Sequence, residues 1–118
     1  MGNVKMAVIV QKMIKADFAG VIFTVSPINK KDLLIEIIEG LGDKLVSGQV
    51  TPNSYFIDKK TLKIINKNEF FKFEERSIKK LSKIASEIEL LYNSPQDIEF
   101  CVEDKDVFIL QSRPITTL

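Results

Sequence analysis

Asp97-Ile98-Glu99-Phe100-Cys101-Val102 and Val107-Phe108-Ile109-Leu110-Gln111-Ser112-Arg113 flank the polar run Glu103-Asp104-Lys105-Asp106, and this stretch decides the fold reading. In both apolar runs polar residues recur at every second position, which argues strand, while the charged run between them argues turn. The segment from Pro95 to Thr116 therefore reads as a hairpin. A three-residue loop, Asp104 to Asp106, sets Glu99 opposite Gln111 and Asp97 opposite Arg113. It also sets Phe100 opposite Leu110 and Val102 opposite Phe108 on the other face. A two-residue loop would divide the polar set between faces, because a one-step slip turns every side chain over. The three-residue loop is the expectation. Taken alone, such a hairpin is an amphipathic ribbon with one solvated face and a weak cross-strand ion pair.

Working outward, 118 residues allow a single domain, 1–118, with a real core. Apolar content of 45% and charged content of 28% are those of an ordinary soluble globular chain. A formal net charge of +1 gives no reason to expect nucleic acid or an anionic membrane as partner. The single cysteine, Cys101, has no internal disulfide partner, so a reducing compartment is expected. The early apolar run Met6–Val10 is too short for a membrane span or a signal-peptide core. The expected address is the cytoplasm. The chain holds no histidine, so no imidazole serves as general base, metal ligand or phosphoryl carrier. Chemistry must rest on carboxylates, amides, Lys and Arg, which suits a charged ligand and an oxygen-preferring ion such as Mg²⁺.

From Met6 to Ile14 the sequence reads as a mostly buried strand. Ala16-Asp17-Phe18 reads as a turn, and Ala19–Val25 as a second strand ended by Ser26-Pro27. Leu33–Ile38 fits strand or helix by composition; its β-branched residues and the following glycine favour strand. Three of the five glycines lie in Gly40-Leu41-Gly42-Asp43-Lys44-Leu45-Val46-Ser47-Gly48, which is neither a Walker loop nor a Gly-x-Gly-x-x-Gly pattern. On its own this run is equally a helical turn with glycine at both ends. Tyr55–Ile57 and Leu62–Ile65 flank Asp58–Thr61 as a second hairpin. Phe70, Phe71 and Phe73 are expected to anchor the core. From about Ser77 to Tyr92 the period becomes helical, with Ile78, Leu81, Ile84, Ile88 and Leu91 on one stripe. Ser77 is the expected N-cap, and Asn93-Ser94-Pro95 ends the helix. The fold class is α+β: a mostly antiparallel sheet, one long amphipathic helix at about 77–92 and a closing hairpin.

Five segments taken together carry a resemblance. Met6–Met13, Ala19–Thr24, Gly40–Asp43 with Leu45–Gly48, Pro95–Glu99 and Leu110–Thr116 occur in the order and spacing of a known domain. They resemble the ATP-binding domain of the phosphoenolpyruvate synthase (pyruvate, water dikinase) and pyruvate phosphate dikinase family, which rifampin phosphotransferase shares. The resemblance covers nearly the whole chain, and its most specific part is the pair of final motifs.

Such domains are ATP-grasp folds, and this chain resembles the C-terminal lobe. The resemblance implies ATP and Mg²⁺ as ligands, with Glu99 and Gln111 holding the ion on the phosphates and Arg113 donating forked hydrogen bonds to a phosphate as it transfers. It implies that Gln11, Lys12 and Met13 form the hinge whose backbone reads adenine, and that Asp97 orients Arg113. Thr24 is expected to be structural. The Gly40–Gly48 run would lie near the cleft, and position 43 is Asp where the family usually has Glu. In the intact enzyme, ATP and pyruvate would give phosphoenolpyruvate through a phosphohistidine. The N-terminal ATP-grasp lobe, the phosphohistidine domain and the pyruvate-binding barrel are the implied partners, and none is in this sequence. The alternatives are a rifampin-type dikinase with another acceptor, or a stand-alone, non-catalytic nucleotide-binding or interaction module.

Overall fold

The computed structural model describes residues 4–6, 17–40 and 51–116. Seven strands are described: β1 (Val4–Met6), β2 (Phe18–Phe23), β3 (Leu33–Glu39), β4 (Asn53–Ile57), β5 (Ile64–Asn68), β6 (Gln96–Glu103) and β7 (Asp106–Pro114). Among the described residues one helix, α1, spans Glu75–Tyr92 between β5 and β6. They form one sheet in the order β1-β7-β6-β2-β3-β4-β5. β2 to β7 pair antiparallel throughout, while β1 lies parallel to β7. The α+β expectation holds, and the Leu33–Ile38 run is strand.

Alternation along each strand gives the sheet two unlike faces. Ile22, Ile35, Ile37, Tyr55, Ile98, Phe100 and Ile109 bury one face against Ile78, Leu81, Ile84, Ala85 and Ile88 of α1. Each such side chain contributes roughly 1.5–3 kcal/mol when fully buried, so this layer supplies most of the driving force. A smaller cluster of Ala19, Ile38 and Cys101, with Phe108 and Leu110 packed against it, lies on the other face. That second face is therefore apolar near the β6–β7 turn and polar only toward its far end.

Three expectations for the helix region are corrected. The N-cap is Glu74, without a side-chain cap bond, and not Ser77, whose N–H donates to the Glu74 carbonyl at 3.0 Å. The cap thus lies three residues earlier than the serine suggested. Leu91 is 71% exposed, together with Leu90 and Tyr92. Consecutive helical positions lie about 100° apart, so three exposed in a row mean the last turn stands clear of the sheet. Asn93, in the left-handed conformation, ends the helix as expected. Finally, Phe73 is buried and Phe71 packs on the core, but Phe70 points to solvent.

The β5–α1 connection is fixed from beneath by a buried polar network. Asn53 Oδ1 accepts from the Phe70 and Phe71 amides at 2.7 and 3.3 Å, and its Nδ2 donates to the Phe71 carbonyl at 2.8 Å. The Tyr55 hydroxyl donates to Glu69 Oε2 at 2.5 Å. Burial, and then the Glu69 hydrogen bond, push the Tyr55 phenol well above its ordinary value near 10. The folded phenol therefore keeps its proton while the unfolded chain's phenol ionises. Its contribution is full below about pH 10 and is lost as pH rises further. The urea midpoint is expected to fall above pH 10, and Tyr55→Phe to flatten that fall. An equally steep fall in the variant would contradict the assignment.

Candidate functional site

The β6–β7 hairpin closes through a two-residue turn, Asp104-Lys105, with φ of 52° and 71°. Both central residues at positive φ is the geometry that matches the twist of a hairpin. Asp17 Oδ2 accepts the Asp104 amide at 2.8 Å and holds the tip. The expected three-residue loop is thus wrong. Val102 pairs with Val107 and Phe100 with Ile109, not with Phe108 and Leu110. The register then shifts between Glu99 and Phe100, leaving Leu110 as one extra residue on β7. This bulge restores the alignment that the shorter turn would have destroyed. Glu99 pairs with Gln111 and Asp97 with Arg113, as expected from the sequence.

These four residues share the face opposite α1. Two cross-strand rows run over it: Gln111, Glu99, Val21, Glu36 and Ser54, and beside it Arg113, Asp97, Phe23, Leu34 and Phe56. Arg113 Nε lies 3.5 Å from Asp97 Oδ2, with the arginine side chain 63% and the aspartate 22% exposed. A pair this open adds little stability but restricts the guanidinium to the same side as Glu99 and Gln111.

The far end of the hairpin is locked on the opposite side. Gln96, 1% exposed, donates its amide N–H to Thr24 Oγ1 at 2.7 Å, and its Oε1 accepts from Ser112 Oγ at 2.8 Å. Thr24, expected to be structural, also donates its own amide to the Gln96 carbonyl at 2.9 Å. The strands that carry the polar rows are thereby tied together at the polar end.

Glu36 was not singled out in the sequence. Its half-buried carboxyl lies two strands from Glu99 in the same row, and burial raises its pKa. Its signal was legible: it is the one charge inside Leu33–Ile38, and alternation sets it on the face opposite Ile35 and Ile37. Gln11, Lys12, Met13 and Asp43 lie outside the described residues. Among the described residues no group of three or more His, Cys, Asp or Glu could hold a metal ion. The oxygen donors that face each other are one carboxylate, Glu99, and one amide, Gln111. No helix among the described residues is long and apolar enough to cross a membrane.

Residues 1–70 and 66–118 match the family described as the pyruvate phosphate dikinase, AMP/ATP-binding domain. The chain belongs to this family. Its relatives include a probable phosphoenolpyruvate synthase of Methanothermobacter thermautotrophicus, 42% identical, covering 98% of this chain and 21% of that protein. A probable phosphoenolpyruvate synthase of Methanocaldococcus jannaschii is 39% identical over 98% of this chain and 12% of the relative. Rifampicin phosphotransferase of Bacillus cereus is 36% identical over 98% of the chain and 16% of the relative. The chain thus spans between an eighth and about a fifth of these relatives. The aligned stretches run to 144 and 142 residues against the 118 here, so the relatives carry at least 26 and 24 more within them. The two matched pieces meet at residues 66–70, at the end of β5.

Proposed function

We propose that this chain is the C-terminal lobe of an ATP-grasp domain in a phosphoenolpyruvate synthase-like dikinase, and that its polar face forms the metal and phosphate wall of the ATP site. The observation that carries the reading is the bulged register, which sets Glu99 beside Gln111 with Arg113 and Asp97 one row away. A carboxylate and an amide oxygen are hard donors, and an ion that keeps several waters and binds phosphates needs few protein ligands. The donor set therefore fits Mg²⁺, and Glu99 and Gln111 would hold it. When bound, Mg²⁺ neutralises charge on the ATP phosphates. Arg113, restrained by Asp97, would donate to a phosphate oxygen and offset negative charge as the phosphoryl group moves.

Phosphoryl transfer asks for positioning and charge neutralisation more than for covalent chemistry by the protein. That agrees with a face made of Glu, Gln, Asp and Arg in a chain without histidine. The phosphohistidine carrier, the companion ATP-grasp lobe and the pyruvate site would belong to other parts of a cytoplasmic enzyme. A second reading is favoured by the rifampicin phosphotransferase relative: the same ATP chemistry with a different acceptor. No residue of the polar face selects between acceptors.

The test is a transfer assay on the intact enzyme carrying this lobe, using labelled ATP. Label is expected on an acid-labile histidine of another domain and then on pyruvate. Passage to rifampicin instead selects the second reading, and the absence of a labelled histidine contradicts both.

A further inference from the structure

On the helix side of the sheet, away from Glu99 and Gln111, a cleft of about 450 Å³ opens between the start of α1, the β6–β7 turn and the start of β2. Its floor is apolar. Phe18 and Phe73 meet edge to face with ring centroids 4.8 Å apart, and Leu81 lies beside them. Four cations rim it: Lys72, Arg76, Lys80 and Lys105. The ion pairs between described residues, Lys59–Glu89, Lys67–Glu69 and Arg113–Asp97, involve none of the four. Three carboxylates, of Asp17, Glu74 and Asp104, also line the cleft, and that of Asp17 is already bonded to the Asp104 amide.

One wall of the cleft, Lys72 to Glu74, belongs to the short β5–α1 connection. The two pieces of the family match meet just before this wall, at residues 66–70. Asn53 holds this connection through the backbone of Phe70 and Phe71.

We propose that the cleft binds a small organic anion, its flat apolar body over Phe18 and Phe73 and its acidic group between Arg76, Lys80 and Lys105. The volume lies within the range of small-molecule sites, and an apolar floor with a few placed charges is their usual construction. Arg76 and Lys80 stand one helical turn apart on the same side of α1, spaced to share one anionic group. A neutral ligand leaves the excess of four cations over three carboxylates unanswered, whereas an inorganic anion leaves the aromatic floor uncovered.

The probe is 1-naphthalenesulfonate, titrated into the isotopically labelled chain and followed by amide NMR. Shift changes are expected at Phe18, Ser77, Leu81 and Lys105, with Glu99 and Gln111 unmoved. The variant Arg76→Glu with Lys80→Glu is expected to bind at least about tenfold more weakly, as the loss of two charge-assisted contacts implies. Arg76 is exposed in the first turn of α1, where an acid favours the dipole, and Lys80 is partly exposed in the second, so the fold is retained. Unchanged affinity in that variant overturns the proposal. So do shifts centred on Leu90, Leu91 and Tyr92, or equal affinity for inorganic phosphate.

Discussion

Replacing Gly20 by alanine is expected to leave little folded protein. Gly20 sits in β2, paired with Phe100 on one side and Ile37 on the other, near the middle of the seven-strand order. A methyl group there would collide with the Glu36 carbonyl oxygen and approach Phe100 Cζ to 2.9 Å. The ring is a side chain that can rotate away, but the carbonyl is part of the backbone of β3. Moving it separates the two strands that form the centre of the sheet. Overpacking alone costs about 1–3 kcal/mol, and each ladder hydrogen bond lost adds about 1 kcal/mol. A total near 4 kcal/mol is a large share of the roughly 5–15 kcal/mol that holds a domain together. Urea unfolding followed by circular dichroism reads this directly. A variant with the parent midpoint would show that β2 and β3 do not approach as described. Phe100→Leu in the same background would relieve the ring but not the carbonyl, and so should not restore stability.

Replacing Glu99 by alanine should act in the opposite way, removing function while sparing the fold. Glu99 is partly exposed and its cross-strand neighbours are Gln111 and Val21, so its truncation falls among surface changes of about 0.5 kcal/mol or less. In the proposed site it supplies the only carboxylate that faces Gln111. Loss of one such charged contact at a developing charge lowers rates by about 10²–10³-fold. ATP-dependent phosphorylation in the intact enzyme is therefore expected to fall by at least that factor, with an unchanged melting temperature. Turnover at the parent rate would remove Glu99 from the site. Because Gly20 and Glu99 lie on neighbouring central strands, the two variants separate failure of the scaffold from failure of the face.

The layer structure was legible because periodicity reports burial directly. Ile78, Leu81, Ile84 and Ile88 repeat at helical spacing and do meet the sheet, and the β-branched run Leu33–Ile38 is a strand. The hairpin shows where this reading stops. The alternation of polar residues pairs Glu99 with Gln111 and Asp97 with Arg113, as the structure does, but by a different route. A three-residue loop and a two-residue turn followed by a one-residue bulge bring the same residues together beyond the bulge. They differ only between the turn and Leu110, where both strands are apolar and no polar residue marks the register. Asp104-Lys105 also lacks the glycine that commonly announces a turn with two positive φ values. Leu91 and Phe70 were misplaced for a related reason. Hydrophobicity marks what can be buried, while the ends of α1 and of its connection depend on how far the sheet extends beneath them. Glu36 belongs to none of the motifs, yet a lone charge in an apolar strand is visible in the sequence.

The central claim is that Glu99, Gln111 and Arg113 form a wall for a metal-bound triphosphate. Amide NMR of the 118-residue chain with Mn²⁺-ATP tests it most directly, since a paramagnetic ion broadens nearby amides even when binding is weak. Weak binding is expected, because the proposed site is completed by a second lobe outside this chain. Broadening should centre on Val21, Glu99, Gln111 and Arg113, spare the last turns of α1, and vanish in Glu99→Ala. Broadening centred elsewhere, or undiminished in that variant, would contradict the account.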